Sequence, residues 1–442
     1  MKPEQEKNIP KPEIEKPVET PQQVESAAQE AIQSLEERAQ SIQVLAREKV
    51  ANSDDEAIIR PLDEQIEKAT DESARNIEQA AAEVLRERWI EQAQEAIKKH
   101  GYTIDLETEP YKSFQAEKFE RFYIQKCFDA QGRPVVVKVG APNSNADKHI
   151  QRESKLYDLL GDRTQAAKSA GQELRVRFPE KLDFFEEDEQ QALVVTYESN
   201  DDEAKQKLSP EKKIDIITTI IEDMRKLSVP PEEVAKPYYE RSMPIMKAYE
   251  YKAQMGEALD ILREKNILSH DSVQRLHEKI GDSEKLIDSF PLFFDHGDIH
   301  GENIFYTPAS ETQPENITLI DVESIRLTNE FAPLAQAVNR EALMTHYKQN
   351  TEAINDENKL IPLLKKQFEF TDHDGKLTEK VEEKFINSHE RDEDAKKVYA
   401  VMRIHEILQT MKALAEKENS FTKRIINIHK DMLEEQMTVL GL

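Results

Sequence analysis

The chain has 442 residues, of which 38% are hydrophobic and 34% charged, with a net charge of −27. That leaves apolar residues enough for the cores of two or three domains, while so acidic a balance argues against a nucleic-acid partner, because phosphate backbones demand a basic face. Cys127 is the single cysteine, which excludes an intrachain disulfide and a cysteine-built zinc site and suits a cytoplasmic setting; the start MKPEQEKNIP has no apolar signal core, and without a run of about 18 apolar residues no membrane partner is expected.

Residues 1–22 alternate proline with glutamate and lysine and are expected to form a disordered tail, since they cannot bury enough apolar area to offset the entropy of ordering. Residues 23–101 are predicted to be a helical extension. Val24, Ala28, Ile32, Leu35, Ala39 and Ile42 recur at steps of three and four, Pro61 interrupts, and a second stripe carries Ile66, Ile77, Ala81, Val84, Leu85 and Ile97. Lys98, Lys99 and His100 suit the negative end of the helix dipole, and Gly101 the position just past it. So thin a stripe fits self-association or protein contact through residues 23–99, or a helical hairpin lying on the main domain.

The period changes at Tyr102. RFYIQKCFDAQGRPVVVKVG reads as strand, turn at Asp129–Pro134, strand. SNADKHIQRESKLYDLLG follows as a helix stopped by Gly161, and EKLDFFEEDEQQALVVTYES as a second hairpin with an acidic turn at Glu186–Gln190. Beyond Ser209 the pattern is mostly helical, as in PEKKIDIITTIIEDMRKL, with one β interruption: NIFY and ITLIDVE, joined by the polar loop Thr307–Asn316. TDHDGKLTEKVEE imitates a calcium loop, but with Gly375 sixth its first and twelfth positions are Phe370 and Val381, neither a ligand, so Asp372–Gly375 reads as an acidic turn. The expected fold is α+β and bilobal: a small antiparallel β lobe over 102–200, then a helical lobe over 201–442 holding a catalytic loop at 296–303 and a metal-site strand at 317–323.

FFDHGDIHGEN, from Phe293 to Asn303, admits two opposed chemistries. Asp298 and His300 form the D-x-H-G opening of a metallophosphoesterase, which removes phosphate. His296, Asp298 and Asn303 form H-x-D-x-x-x-x-N, the catalytic loop of a kinase, which adds it. Four pieces in order favour the second: Lys138 in VVVKVG, Glu153 in the helix that follows, HGDIHGEN, and Asp321 in ITLIDVES at the end of a return strand. Phosphoryl transfer explains each residue type, because its transition state spreads negative charge over phosphate oxygens and asks for positioning and electrostatic stabilisation. Lys138 would hold ATP phosphates, and Glu153 would pin Lys138. Asn303 and Asp321 offer the oxygen ligands that Mg²⁺ wants. Asp298 would accept the acceptor hydroxyl's proton or hold that hydroxyl in line. His296 would pack and hydrogen-bond the loop, and His300 is its neighbour. Each piece alone has a bland reading: an edge lysine, a solvated helix glutamate, a strand-end aspartate.

The ordered set resembles the aminoglycoside phosphotransferase and choline kinase family, a branch of the protein-kinase-like fold. Gly297 after the loop histidine, and Asp321-Val322-Glu323 at the later metal site, resemble the small-molecule branch more than protein kinases, over residues 105–330. The resemblance implies ATP and Mg²⁺, a small-molecule hydroxyl acceptor, an adenine-binding hinge near Thr196, Tyr197 and Glu198, and an acid of supporting role at Glu323. It also implies a phosphate-covering loop, here SFQAEKFER without a glycine.

The metallophosphoesterase reading lacks its further motifs. No glycine is followed by asparagine or histidine, and no G-D pair follows Gly297. A third reading is a kinase-like fold kept as a binding module, although all five polar catalytic positions are present. Residues 330–442, where such a family chooses its acceptor, match nothing specific. Asp295, Asp298 and Glu302 would suit a cationic acceptor; an aminoglycoside, aminoalcohol, sugar or protein hydroxyl all stay open.

Overall fold

The computed structural model describes residues 89–111, 122–141, 146–187, 190–229, 243–311, 313–349, 373–416 and 420–442. The expected tail 1–22, the helical extension up to 88 and the loop SFQAEKFER lie outside the described residues. The chain divides into two compact units: residues 1–100 with 111–123, and residues 101–110 with 124–442.

In the first unit, helix α1 (residues 89–99) buries Trp89, Ala93, Ala96 and Ile97. Their spacing of four, three and one puts them on one face of a 3.6-residue period. The side-chain amide of Gln94 donates to the Tyr123 hydroxyl at 3.0 Å.

The next elements form a five-stranded sheet in the order β1-β2-β3-β6-β5. Its strands are β1 (Thr103–Ile104), β2 (Phe122–Phe128), β3 (Pro134–Gly140), β5 (Lys181–Glu187) and β6 (Gln190–Thr196). Gly132 makes the β2–β3 turn with φ +76°, and its amide donates to Asp129 at 2.9 Å. Alternation along β3 buries Val135, Val137 and Val139 on one face and leaves Lys138, opposite Leu193 of β6, on the other. Helix α2 (Ala146–Ser169) and the short strand β4 (Val176–Arg177) lie between β3 and β5 in sequence. The stop predicted at Gly161 does not occur: α2 runs eight residues further. Gly161 needs no positive φ, a glycine inside a helix costs only about 1 kcal/mol, and the helix formers that follow carry it through. The chain turns at Gly171, with φ +74°.

Helices α3 (Asp202–Gln206), α4 (Pro210–Leu227), α5 (Ala248–Glu264) and α6 (His270–Ile287) follow. Ser209 caps α4 and Ser269 caps α6, each side chain accepting an amide three residues on. Then come β7 (Leu292–Asp295), β8 (Ile304–Thr307), β9 (Asn316–Leu319) and β10 (Arg326–Asn329). The predicted β8–β9 hairpin is present, but it is one part of a larger frame. β4 joins it in parallel, beside β9, and β7 pairs with β10 so that Asp295 faces Arg326. The segment between β7 and β8, and the one between β9 and β10, are thus each held at both ends.

Helices α7 (Phe331–Gln349), α8 (Lys376–Val381), α9 (Asp392–Ala415) and α10 (Ser420–Val439) complete the unit. α9 buries residues all round its axis, from Ala395 through Met402 and Ile404 to Met411, which marks it as the central helix of this part. Glu341 of α7, fully buried, accepts the Leu377 and Thr378 amides at 2.8 and 2.7 Å and so caps α8. The plan is α+β: a small antiparallel sheet, then a larger helical part enclosing the β8–β9 hairpin. Among the described residues no helix is long and apolar enough to cross a membrane.

Candidate active site

Two groups of side chains meet at the end of β9. In the first, Lys138 of β3 places its Nζ 2.7 Å from Glu153 Oε2 on α2, 3.3 Å from Asp321 Oδ1 and 3.7 Å from Glu323 Oε2. Burial would lower the lysine's pKa, but Glu153, Asp321 and Glu323 together hold it well above its ordinary value. Glu153 is buried, and burial with the two neighbouring carboxylates pushes its pKa up against the pull of Lys138. One cation cannot balance three acids. His149, one helical turn before Glu153, adds its Nδ1 at 3.7 Å from Glu323 Oε2. Asp321 itself is left-handed, with φ +58°, a conformation uncommon outside glycine and found where function over-determines the backbone.

The second group surrounds Asp298. Its Oδ1 accepts from Arg340 Nη2 of α7 at 3.2 Å, and its Oδ2 lies 3.3 Å from His300 Nε2 and 3.4 Å from Asn303 Nδ2. His300 Nδ1 accepts the Glu302 amide at 3.2 Å, so the ring proton sits on Nε2 and points at Asp298. Burial would raise the Asp298 carboxyl, but the His300 hydrogen bond and then the charge of Arg340 hold it well below the ordinary carboxylate range.

Ile320 joins the groups. Its carbonyl accepts from His296 Nε2 at 2.9 Å and its amide donates to the Asn303 carbonyl at 3.0 Å. His296 is fully buried, and burial lowers its pKa, so it serves as a neutral brace. Both backbone groups of the residue before Asp321 are therefore gripped by the loop that carries Asp298.

Gly297 is there for two reasons. Its φ is +78°, and a Cβ would stand 2.3 Å from the Ser324 carbonyl oxygen, in the turn after Asp321. Gly297→Ala is expected to cost about 2–4 kcal/mol of unfolding free energy, read as a lowered urea midpoint. An unchanged midpoint would mean that the two turns separate freely.

The remaining predicted residues fall elsewhere. Thr196, Tyr197 and Glu198 lead out of β6 toward α3. The Thr196 amide donates to Glu180 and the Tyr197 amide to Pro134. Glu198 accepts from Thr196 Oγ1 at 3.0 Å and from Thr318 Oγ1 of β9 at 3.5 Å, which ties this connection to the strand that ends at Asp321. Asp295 does not suit a cationic acceptor. It is buried, and it accepts from Arg326 Nε at 2.9 Å and from the Gly297 amide at 3.0 Å.

Sequence reasoning missed Arg340 and Gln336 of α7. Gln336 Nε2 donates to the Gly297 carbonyl at 3.1 Å. It also missed Lys205, buried on α3, whose Nζ donates to the Gly301 carbonyl at 3.1 Å. The spacing of four between Gln336 and Arg340 is a helical signal, but nothing local says which surface that face meets.

No family model matches the sequence, and neither does any curated protein. The solved structures similar to this chain include aminoglycoside phosphotransferases. ADP-bound APH(2'')-Ib shares 12% identity, over 80% of this chain and 98% of that one, with a TM-score of 0.46. APH(9)-Ia, a spectinomycin phosphotransferase in complex with ADP and spectinomycin, shares 14% over 80% and 98%, with a TM-score of 0.42. The streptomycin–ATP–APH(2'')-IIa ternary complex gives 13%, 78% and 96%, with a TM-score of 0.44.

Proposed function

We propose that the chain is an ATP-dependent phosphotransferase that moves the γ-phosphate of ATP to a hydroxyl of a small molecule of aminoglycoside, aminoalcohol or sugar type. The observation that carries the reading is the joint held by Ile320: a lysine among acids on one side, and an aspartate oriented by three donors on the other. Lys138 supports the ATP phosphates from a rigid strand, and Glu153 keeps it from swinging. Thr196–Glu198 is the candidate seat for adenine.

The donor set fits Mg²⁺. Oxygens of Glu153, Asp321 and Glu323 lie within 4.8 Å of one another, and their charge exceeds that of Lys138. Hard oxygen donors in negative surplus are what a hard dication takes. Asp321 and Asn303 would hold it, with Glu323 in support, and Mg²⁺ bound there would neutralise charge on the phosphates of ATP.

Asp298 orients the acceptor hydroxyl. A carboxylate held so far below its usual range is a weak base, so it receives the hydroxyl proton late, as the new O–P bond forms and the bond to ADP breaks. The D-x-H-G reading gains no support, because both His300 ring nitrogens are engaged within the loop. Among the described residues, the one acidic group that could hold an ion does not include His300.

The test is ADP release from Mg-ATP against a panel of aminoglycosides, aminoalcohols and sugars. Release that rises with at least one acceptor above the rate in water is expected. Nucleotide binding with no release for any acceptor would make the chain a binding module.

A further inference from the structure

We propose that Gln336 and Arg340, one turn apart on α7, are positioning residues for Asp298. The inference rests on the phosphotransfer reading and assigns part of that site to the C-terminal helices.

An i, i+4 pair shares one helix face. Here that face grips consecutive residues of the loop: Gln336 Nε2 donates to the Gly297 carbonyl at 3.1 Å, and Arg340 Nη2 to Asp298 Oδ1 at 3.2 Å. One contact fixes the backbone just before Asp298 and the other fixes its carboxylate plane. The gripping face is held, because α7 is tied to α9 through the residue just before Arg340. Asn339 Nδ2 donates to the Arg403 carbonyl at 2.9 Å, and Arg403 Nε returns a bond to Asn339 Oδ1 at 2.8 Å, both buried.

On the other side of the loop, Arg326 Nε binds Asp295 at 2.9 Å, and Asp295 accepts the Gly297 amide at 3.0 Å, so both backbone polar groups of Gly297, the residue before Asp298, are held. A carboxylate has about four lone-pair directions, and the three donors around Asp298 leave one, which suits a single acceptor hydroxyl.

The test is steady-state ATP turnover with Mg²⁺, using the best acceptor of the panel or water where none is better, in wild type, Arg340→Lys and Arg340→Ala. Binding of a fluorescent ATP analogue and the melting temperature are read on each variant. Misaiming a reacting group costs on the order of a hundredfold. Arg340→Ala is therefore expected to lose about that much in kcat, with KM for ATP and analogue binding unchanged. Millimolar guanidinium should restore part of its rate, and Arg340→Lys should keep about a tenth of wild-type kcat. If Arg340→Ala melts early, guanidinium rescue on the folded fraction at low temperature still decides. Full kcat in a folded Arg340→Ala, or a loss that neither lysine nor guanidinium repairs, overturns the positioning role alone. A wild type that binds the analogue but turns over no ATP overturns the phosphotransfer reading, and this role with it.

Discussion

Asp321→Ala is expected to remove nearly all ATP-dependent phosphoryl transfer, a loss on the order of a thousandfold or more. The residue has a left-handed backbone at the junction of the two groups, it stands 3.3 Å from Lys138, and in the proposed reaction it is the main oxygen ligand for Mg²⁺. Its removal costs little packing, because the side chain is more than a third exposed. The fold should survive while the chemistry does not. Asp298→Ala should lose a similar factor for a different reason: Mg-ATP would still bind, but the acceptor hydroxyl would have nothing to hold it in line. Paired titrations with a fluorescent ATP analogue separate the two. Asp321→Ala should weaken Mg-dependent nucleotide binding, and Asp298→Ala should leave it intact. Equal nucleotide affinity and equal turnover in both variants would contradict the assignment.

The second large effect belongs to Lys138. Lys138→Met leaves Glu153, buried and already pushed up in pKa, beside two further acids with no lysine among them. Breaking a buried pair by removing one partner typically costs about 3–5 kcal/mol, and turnover should fall with it. The sign of the pH dependence follows from the direction of the Glu153 shift. A carboxyl whose folded pKa lies above its unfolded value binds more protons in the folded state, so its contribution is present at low pH and is lost as pH rises through the folded value. The urea midpoint of Lys138→Met should therefore fall further below that of wild type at pH 8 than at pH 5. Millimolar Mg²⁺ should recover part of the difference at pH 8. A deficit that is independent of pH and of Mg²⁺ would mean that the methionine merely packs badly.

What the sequence disclosed follows from what is local. Lys138 and Glu153 were legible because a strand lysine and a helix acid in that order have a mutual purpose, and the structure places them 2.7 Å apart. The loop from His296 to Asn303 was legible as a motif, and so was His296 as a brace. Gly297 was read only as a branch marker; its steric necessity depends on Ser324, which no local pattern connects to it. Arg340 was invisible for the same reason in stronger form. It lies 42 residues beyond Asp298 on a helix, and only the packing of α7 on the loop makes this arginine a partner of the site. The false stop at Gly161 shows the reverse error, a local rule overridden by the helix formers on both sides. The β7–β10 ladder was missed because its four-residue strands are too short for alternation to stand out.

The most direct measurement follows labelled γ-phosphate from ATP with Mg²⁺ in wild type, Asp321→Ala and His300→Asn, beside hydrolysis of a generic phosphate ester with Mn²⁺ by the same proteins. Wild type should transfer label to an acceptor and leave the ester intact. Asp321→Ala should transfer almost none, and His300→Asn should retain a measurable share, because His300 orients Asp298 without meeting phosphate. Ester hydrolysis by wild type that survives Asp321→Ala and disappears in His300→Asn, with no label transferred from ATP, would contradict the phosphotransferase and make Asp298 and His300 the metal ligands of a phosphoesterase.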